Sequence, residues 1–210
     1  MISELVKGQI LTGVGARNIP DHIWRLMFDV GYEAARMGLL FRGGDAHGSD
    51  DAFYSGYRRY IEEQSMTIAQ ASPLVKIFMP SETSPPGHRI RTEQTYRHDD
   101  PETWHHCISG PRQTNWLGAR LEAADIHPVW DQLDSWSKAL HARNIYQVLG
   151  QSLAFPSNLV VFFAEPQGRG FVKGGTNTAY RCAIDNEVPT LNLWHEKDRK
   201  IVTDWMEIQK

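Results

Sequence analysis

Glycines, arginines and carboxylates cluster at three points of this chain in a pattern suited to holding an anion. The runs are TGVGAR at 12–17, RGGDAHGSD at 42–50 and KGGTNT at 173–178. Gly13, Gly15, Gly43, Gly44, Gly48, Gly174 and Gly175 lack a Cβ, so the backbone there can approach a ligand closely. Behind each run comes a segment that reads as helix, and a helix start offers unpaired N–H groups with a partial positive charge. Arg17 and Arg42 stand where strands end and are expected to read phosphate or carboxylate. Thr176 and Thr178 add hydroxyls to the third run. Three such turns at one sheet edge predict a crevice for a phosphate-bearing ligand.

Carboxylates beside that site point to a second chemistry. Asp50 falls where a helix N-cap belongs. Asp45 would repel a phosphate, so it suits a ribose hydroxyl, a base or a cation. Were the chain to cleave a glycosidic bond, Asp45 and Glu165 are the acids to examine first, because that reaction needs a positioned proton donor. His141 reads as a structural histidine. His105, His106 and Cys107 are adjacent and lack the spaced partners through which zinc ligands converge, so no metal is expected; no cofactor is expected either. Trp104 and Trp116 read as a small local core rather than base-stacking platforms. Trp130, Leu133, Trp136 and Leu140 recur at helical spacing and read as core.

The elements that position these residues alternate along the chain. Apolar runs at 9–14, 39–41, 73–79, 158–164 and 189–193 read as strands. Helical spacing follows from about residue 21 to 36, onward from Asp50, across 127–151 and over 176–185. Alternation of this kind predicts an α/β fold with a mainly parallel five-stranded sheet flanked by helices, and the long excursion between the third and fourth strands suggests a return to the other side of the first, in the order 3-2-1-4-5. Residues 80 to 127 break the rhythm, with prolines and polar clusters but no clear strand. An excursion of that length is read as a functional insertion. It carries His88, Arg89, Arg91, Arg97 and His98, diluted by Glu93, Asp99 and Asp100, and is expected to act as a lid or a homo-oligomer contact. The tail at 194–210 is polar and reads as a surface helix or extension of a single domain spanning 1–210.

Composition narrows the partners. At 41% hydrophobic and 22% charged, the chain has an ordinary globular balance. No apolar run approaches the roughly 20 residues of a membrane helix, so no membrane partner is expected. The start MISELVKGQI lacks a signal-peptide pattern and the two cysteines are isolated, which together suggest the cytoplasm. A net charge of −3 limits electrostatic attachment to nucleic acid, so only weak single-strand binding is expected.

TGVGAR, LLFRGGDAHGSDDAF, HARNIYQVLG, SNLVVFFA, GGTNTAYRCA and VPTLNL, in this order, resemble the SLOG superfamily, more narrowly its DNA-processing protein A-like branch, of a type carried by phages and bacteria. The resemblance implies a Rossmann-like fold that binds nucleotides, nucleotide derivatives or single-stranded DNA. It assigns Gly13, Gly15 and Arg17 to the first ligand turn, and Gly43, Gly44, Gly48 and Asp50 to the second. Gly174, Gly175, Thr176 and Thr178 fall in the third, and Arg143 and Asn144 match an Arg–Asn pair of the DNA-processing relatives. Ala16 replaces a common serine, and Asp45 enters a turn normally glycine-rich or apolar. Aligned with the lonely-guy phosphoribohydrolases, the catalytic glutamate falls on Arg181 and a glycine on Asn177. The expected function is binding of a small nucleotide-derived ligand, as sensor, sequestering protein or N-glycosidic hydrolase. The alternative is a single-stranded DNA-binding recombination mediator.

Overall fold

The computed structural model describes residues 2–80, 107–109 and 115–208. Strand β1 (Ile10–Gly15) is the centre of the sheet, paired in parallel with β2 (Leu40–Gly44) on one side and β5 (Leu159–Phe163) on the other. β3 (Val75–Met79) lies beyond β2, and β8 (Thr190–Asn192) lies beyond β5. These are the five strands anticipated, in the anticipated order. One more, β4 (Cys107–Ser109), pairs in parallel outside β3. The sequence from 80 to 127 shows no clear strand, and a strand of three residues is too short for a period-two pattern to show.

Alternation along the strands sorts side chains onto two cores. From β5, Leu159, Val161 and Phe163 enter the core formed with helices α1 (Asp21–Arg36) and α2 (Ser49–Glu63). Val160 and Phe162 enter the opposite core, with α4 (Trp116–Ile126), α5 (Ser135–Leu149) and α6 (Thr176–Asp185). Both faces are covered, which is why β5 reads LVVFF and is buried at every position. A short α3 (Ile68–Ala71) leads into β3. Helix α7 (Glu196–Ile208) occupies the tail read as a surface helix or extension, and it is packed rather than free. Its Val202 and Trp205 are buried in the first core beside Ile2 and Leu5. No described helix is long and apolar enough to cross a membrane.

Between β5 and α6 the chain makes a hairpin, β6 (Pro166–Gly168) against β7 (Phe171–Val172). Arg169 and Gly170 have φ of 50° and 75°, the positive pair of a type I′ turn. The hairpin delivers the chain to the third glycine run.

Candidate functional site

The strands of the main sheet run parallel, so the first two glycine turns meet at one edge. They meet each other. Ser49 donates to the Ala16 carbonyl through both its N–H (3.1 Å) and its hydroxyl (3.0 Å), and Ala16 N–H donates to Phe163 O at 2.9 Å. Gly48 is the N-cap of α2, the position expected for Asp50; its φ is 88°, and a Cβ there would strike the Arg17 carbonyl. The start of α2, anticipated as an open anion site, is therefore engaged by the protein's own first turn. Gly13 is packed against the Phe53 ring and Gly43 against Phe41. These two glycines serve packing and do not line the crevice described next.

The third turn is open. Gly174 has φ 76°, and a Cβ there would meet nothing within 4 Å. Gly175, the N-cap of α6, receives no side-chain cap. Gly174, Gly175 and Thr176 line a crevice of about 650 Å³, which Gly15, Ala16 and Arg17 of the first turn also line. At its lip Lys173 and Glu165 pair at 3.0 Å, both well exposed. Glu165 is thus a solvated partner of a lysine, and Asp45 lines a separate recess of about 110 Å³ with Arg17 and Arg143.

Helix α5 supplies the polar wall. Arg143, Asn144 and Gln147 share one face of it and line the crevice. Arg143 donates to Asp45 Oδ1 at 2.7 Å and lies 3.6 Å from Asp50 Oδ2. Its other terminal nitrogen donates to Asn144 Oδ1 (3.2 Å), and Asn144 Nδ2 donates to the Gly175 carbonyl at 2.8 Å. The Arg–Asn pair is therefore a strap from the second turn to the third. Gly44 makes room for it: a Cβ there would overlap Asp50 Oδ2 and lie 2.6 Å from Gln147 Nε2.

Burial sets the chemistry of this wall. Asp50 is 2% exposed, and loss of water pushes its carboxyl up to about 6. The Arg143 charge opposes that shift, and the Asp45 charge adds to it. Gln147 is fully buried, and neither of its side-chain polar atoms has a hydrogen-bond partner; nor do Asp50 Oδ2 and Arg143 Nε. Each such atom costs about 1–3 kcal/mol in an interior, so a cluster of them marks a surface built for something other than stability. Gln147 escaped the sequence reading. The signal was its place four residues after Arg143, on the same helix face.

His141 lines the crevice too. Its Nδ1 is 2.7 Å from Thr178 Oγ1, and its ring packs 4.4 Å from that of His127. Burial, then the charges of His127 and Arg143, lower it to about 4, so the imidazole is neutral near neutral pH. Thr178 is buried in this contact rather than presented to the crevice.

Arg42 corrects its expected role. Its guanidinium donates to Phe155 O at 2.6 Å and Val148 O at 3.2 Å, away from the crevice, and clamps the end of α5 and the loop after it. Desolvation there lowers it to about 10. Trp136 and Leu140, read as core, are half-buried at the rims of the recess and the crevice. Trp116 stacks on Tyr146 at 6.0 Å and so packs against the second core of the sheet, not in a small local core of the insertion. The basic stretch with Arg89, Arg91 and Arg97, along with Trp104, His105 and His106, lies outside the described residues. Among the described residues no group of three His, Cys, Asp or Glu side chains is arranged to hold a metal ion.

No protein-family model, curated protein or solved structure matches this chain.

Proposed function

We propose that the crevice binds a small, phosphate-bearing nucleotide derivative, which the protein senses or sequesters. One observation carries the reading: a helix start without a side-chain cap at Gly175 and a buried, under-satisfied polar wall at Asp50, Arg143 and Gln147 line the same crevice of about 650 Å³. A phosphate suits the partial positive charge of the helix start, although Asn177 N–H and Thr178 N–H already donate to the Gly174 and Gly175 carbonyls at 3.1 Å, with Lys173 and Arg17 adding charge at the rim. The sugar or base suits the wall. A carboxylate accepts from a ribose hydroxyl, and a carboxamide offers a donor and an acceptor together. The volume falls within the usual range for small-molecule sites. The resemblance to the SLOG superfamily agrees with this reading, and so does the acidic balance of the chain, at net charge −3.

Calorimetry with AMP and ADP tests it, on the wild type and on Gly174→Asn. Asparagine tolerates the left-handed backbone and adds bulk where a Cβ finds open space. Nucleotides are expected to bind, and the variant to bind about tenfold more weakly, a loss of ~1.4 kcal/mol. Folded protein that binds neither nucleotide overturns the reading. So does a labelled single-stranded oligonucleotide that binds tightly at physiological salt and is not displaced by ADP, the outcome for a recombination mediator.

A further inference from the structure

A second hollow, of about 370 Å³, adjoins the same turn. It shares His141, Gly174 and Gly175 with the crevice, so the open glycine turn is the border between the two. Its walls have a different character. The β6–β7 hairpin contributes Phe171, which is 41% exposed and braced by the Arg181 guanidinium 5.5 Å from the ring centroid. The rings of His127 and His141 stand on the other elements lining it. Gln167 and Asn177 add amide groups, and Asn177 Oδ1 accepts from Val172 N–H at 3.1 Å, which ties the hairpin to α6. Among the described residues no lysine, arginine, aspartate or glutamate lines this hollow.

That contrast argues for a ligand with two arms. A terminal phosphate needs cations, and the second hollow supplies none from the described residues. Flat rings beside amides suit a nucleobase, which stacks through its face and bonds through its edge. The anion belongs between the hollows, at the border turn where α6 begins. Gln147, buried and unpartnered on the crevice side, independently marks that side as a place where a ligand's polar edge is read.

We propose that the second hollow receives a second nucleobase-bearing arm of the same ligand, so that the protein takes a dinucleoside pyrophosphate whose bridging phosphates lie over Gly174 and Gly175. The inference rests on the nucleotide reading of the crevice and narrows its ligand class. One arm occupies the crevice against Asp50 and Gln147. The other lies on Phe171, against the rings of His127 and His141. A diester pyrophosphate suits the border because both of its ends continue into sugars, one toward each hollow.

Calorimetry with ADP, ADP-ribose and diadenosine pyrophosphate separates the possibilities, on the wild type, Phe171→Ala and Phe171→Trp. The dinucleotide is expected to bind about tenfold or more tighter than ADP, the scale of one base stacking on a ring. ADP-ribose, whose second arm lacks a base, should bind like ADP. Phe171→Ala should erase the dinucleotide's advantage while leaving ADP unchanged, and Phe171→Trp should retain it. A dinucleotide no tighter than ADP overturns the two-arm proposal and leaves the nucleotide reading standing. Equal weakening of both ligands by Phe171→Ala does the same, because it shows a general disturbance of the hairpin. If neither ligand binds the folded wild type, both readings fall.

Discussion

Asp50→Asn should stabilise this protein near neutral pH while weakening its ligand. Asp50 is the most perturbed carboxyl at the site, with its pKa raised from 3.8 to about 6 by burial. The folded state therefore holds the Asp50 proton more tightly than the unfolded chain does. Below about pH 4 the group is protonated in both states and costs nothing. As pH rises through about 6 the fold must keep a buried charge, and stability is lost. A difference of about two pKa units, at roughly 1.4 kcal/mol each, puts the cost at ~3 kcal/mol above about pH 7. Asparagine keeps the shape and removes the charge. Arg143 is not stranded by the change, because its nearer partner Asp45 remains at 2.7 Å. Urea melts of both proteins from about pH 4 to 8 should show the variant gaining on the order of 1–3 kcal/mol at the alkaline end. The gain should shrink to nothing in acid. His141 titrates across the same window with the opposite sign: its folded pKa is lowered to about 4, so its contribution is lost as pH falls. That contribution is common to both proteins and cancels in their difference. A variant less stable than wild type at pH 7, or a difference that does not depend on pH, would refute the reasoning; the first result would mean that Arg143 needs both carboxylates.

Two further substitutions separate scaffold from site. Arg42→Gln removes a half-buried guanidinium that donates to the Val148 and Phe155 carbonyls; it should cost about 1–2 kcal/mol in a urea melt and leave nucleotide affinity unchanged. A parallel fall in affinity would place Arg42 at the ligand after all. Trp205→Ala opens a void in the first core and should cost about 3–5 kcal/mol, with faster proteolysis of the whole chain. Loss of the tail alone, with the rest intact, would restore its reading as a separate extension.

Order along the chain was legible because it is a local property. Apolar runs alternating with 3.6-residue periodicity marked β1, β2, β3, β5 and β8, and the long excursion after β3, returning the chain to the other side of β1, ordered them without any contact being known. Both ends of α1 were legible from Asp21 and Gly38. β4 and the β6–β7 hairpin were not, being too short to carry a period. The site was half legible. That glycine turns at strand ends would gather at one edge follows from parallel strands alone, and the Arg143–Asn144 pair beside them was visible as a motif.

What each of those residues faces is a matter of neighbours distant in sequence, and only tertiary structure decides it. Three turns of similar composition received different roles: the first two close on each other through Ser49 and Ala16, and the third stays open because nothing packs on Gly174. Arg42 and Arg17 look alike at strand ends, yet one is drawn to the carbonyls of a helix more than a hundred positions away in the chain and the other is left at the crevice. Gln147 has no motif around it, and Asp50 reads as a cap. Their importance comes from being buried together where Gly44 leaves room, and burial is a sum over the whole fold that no single stretch of sequence contains.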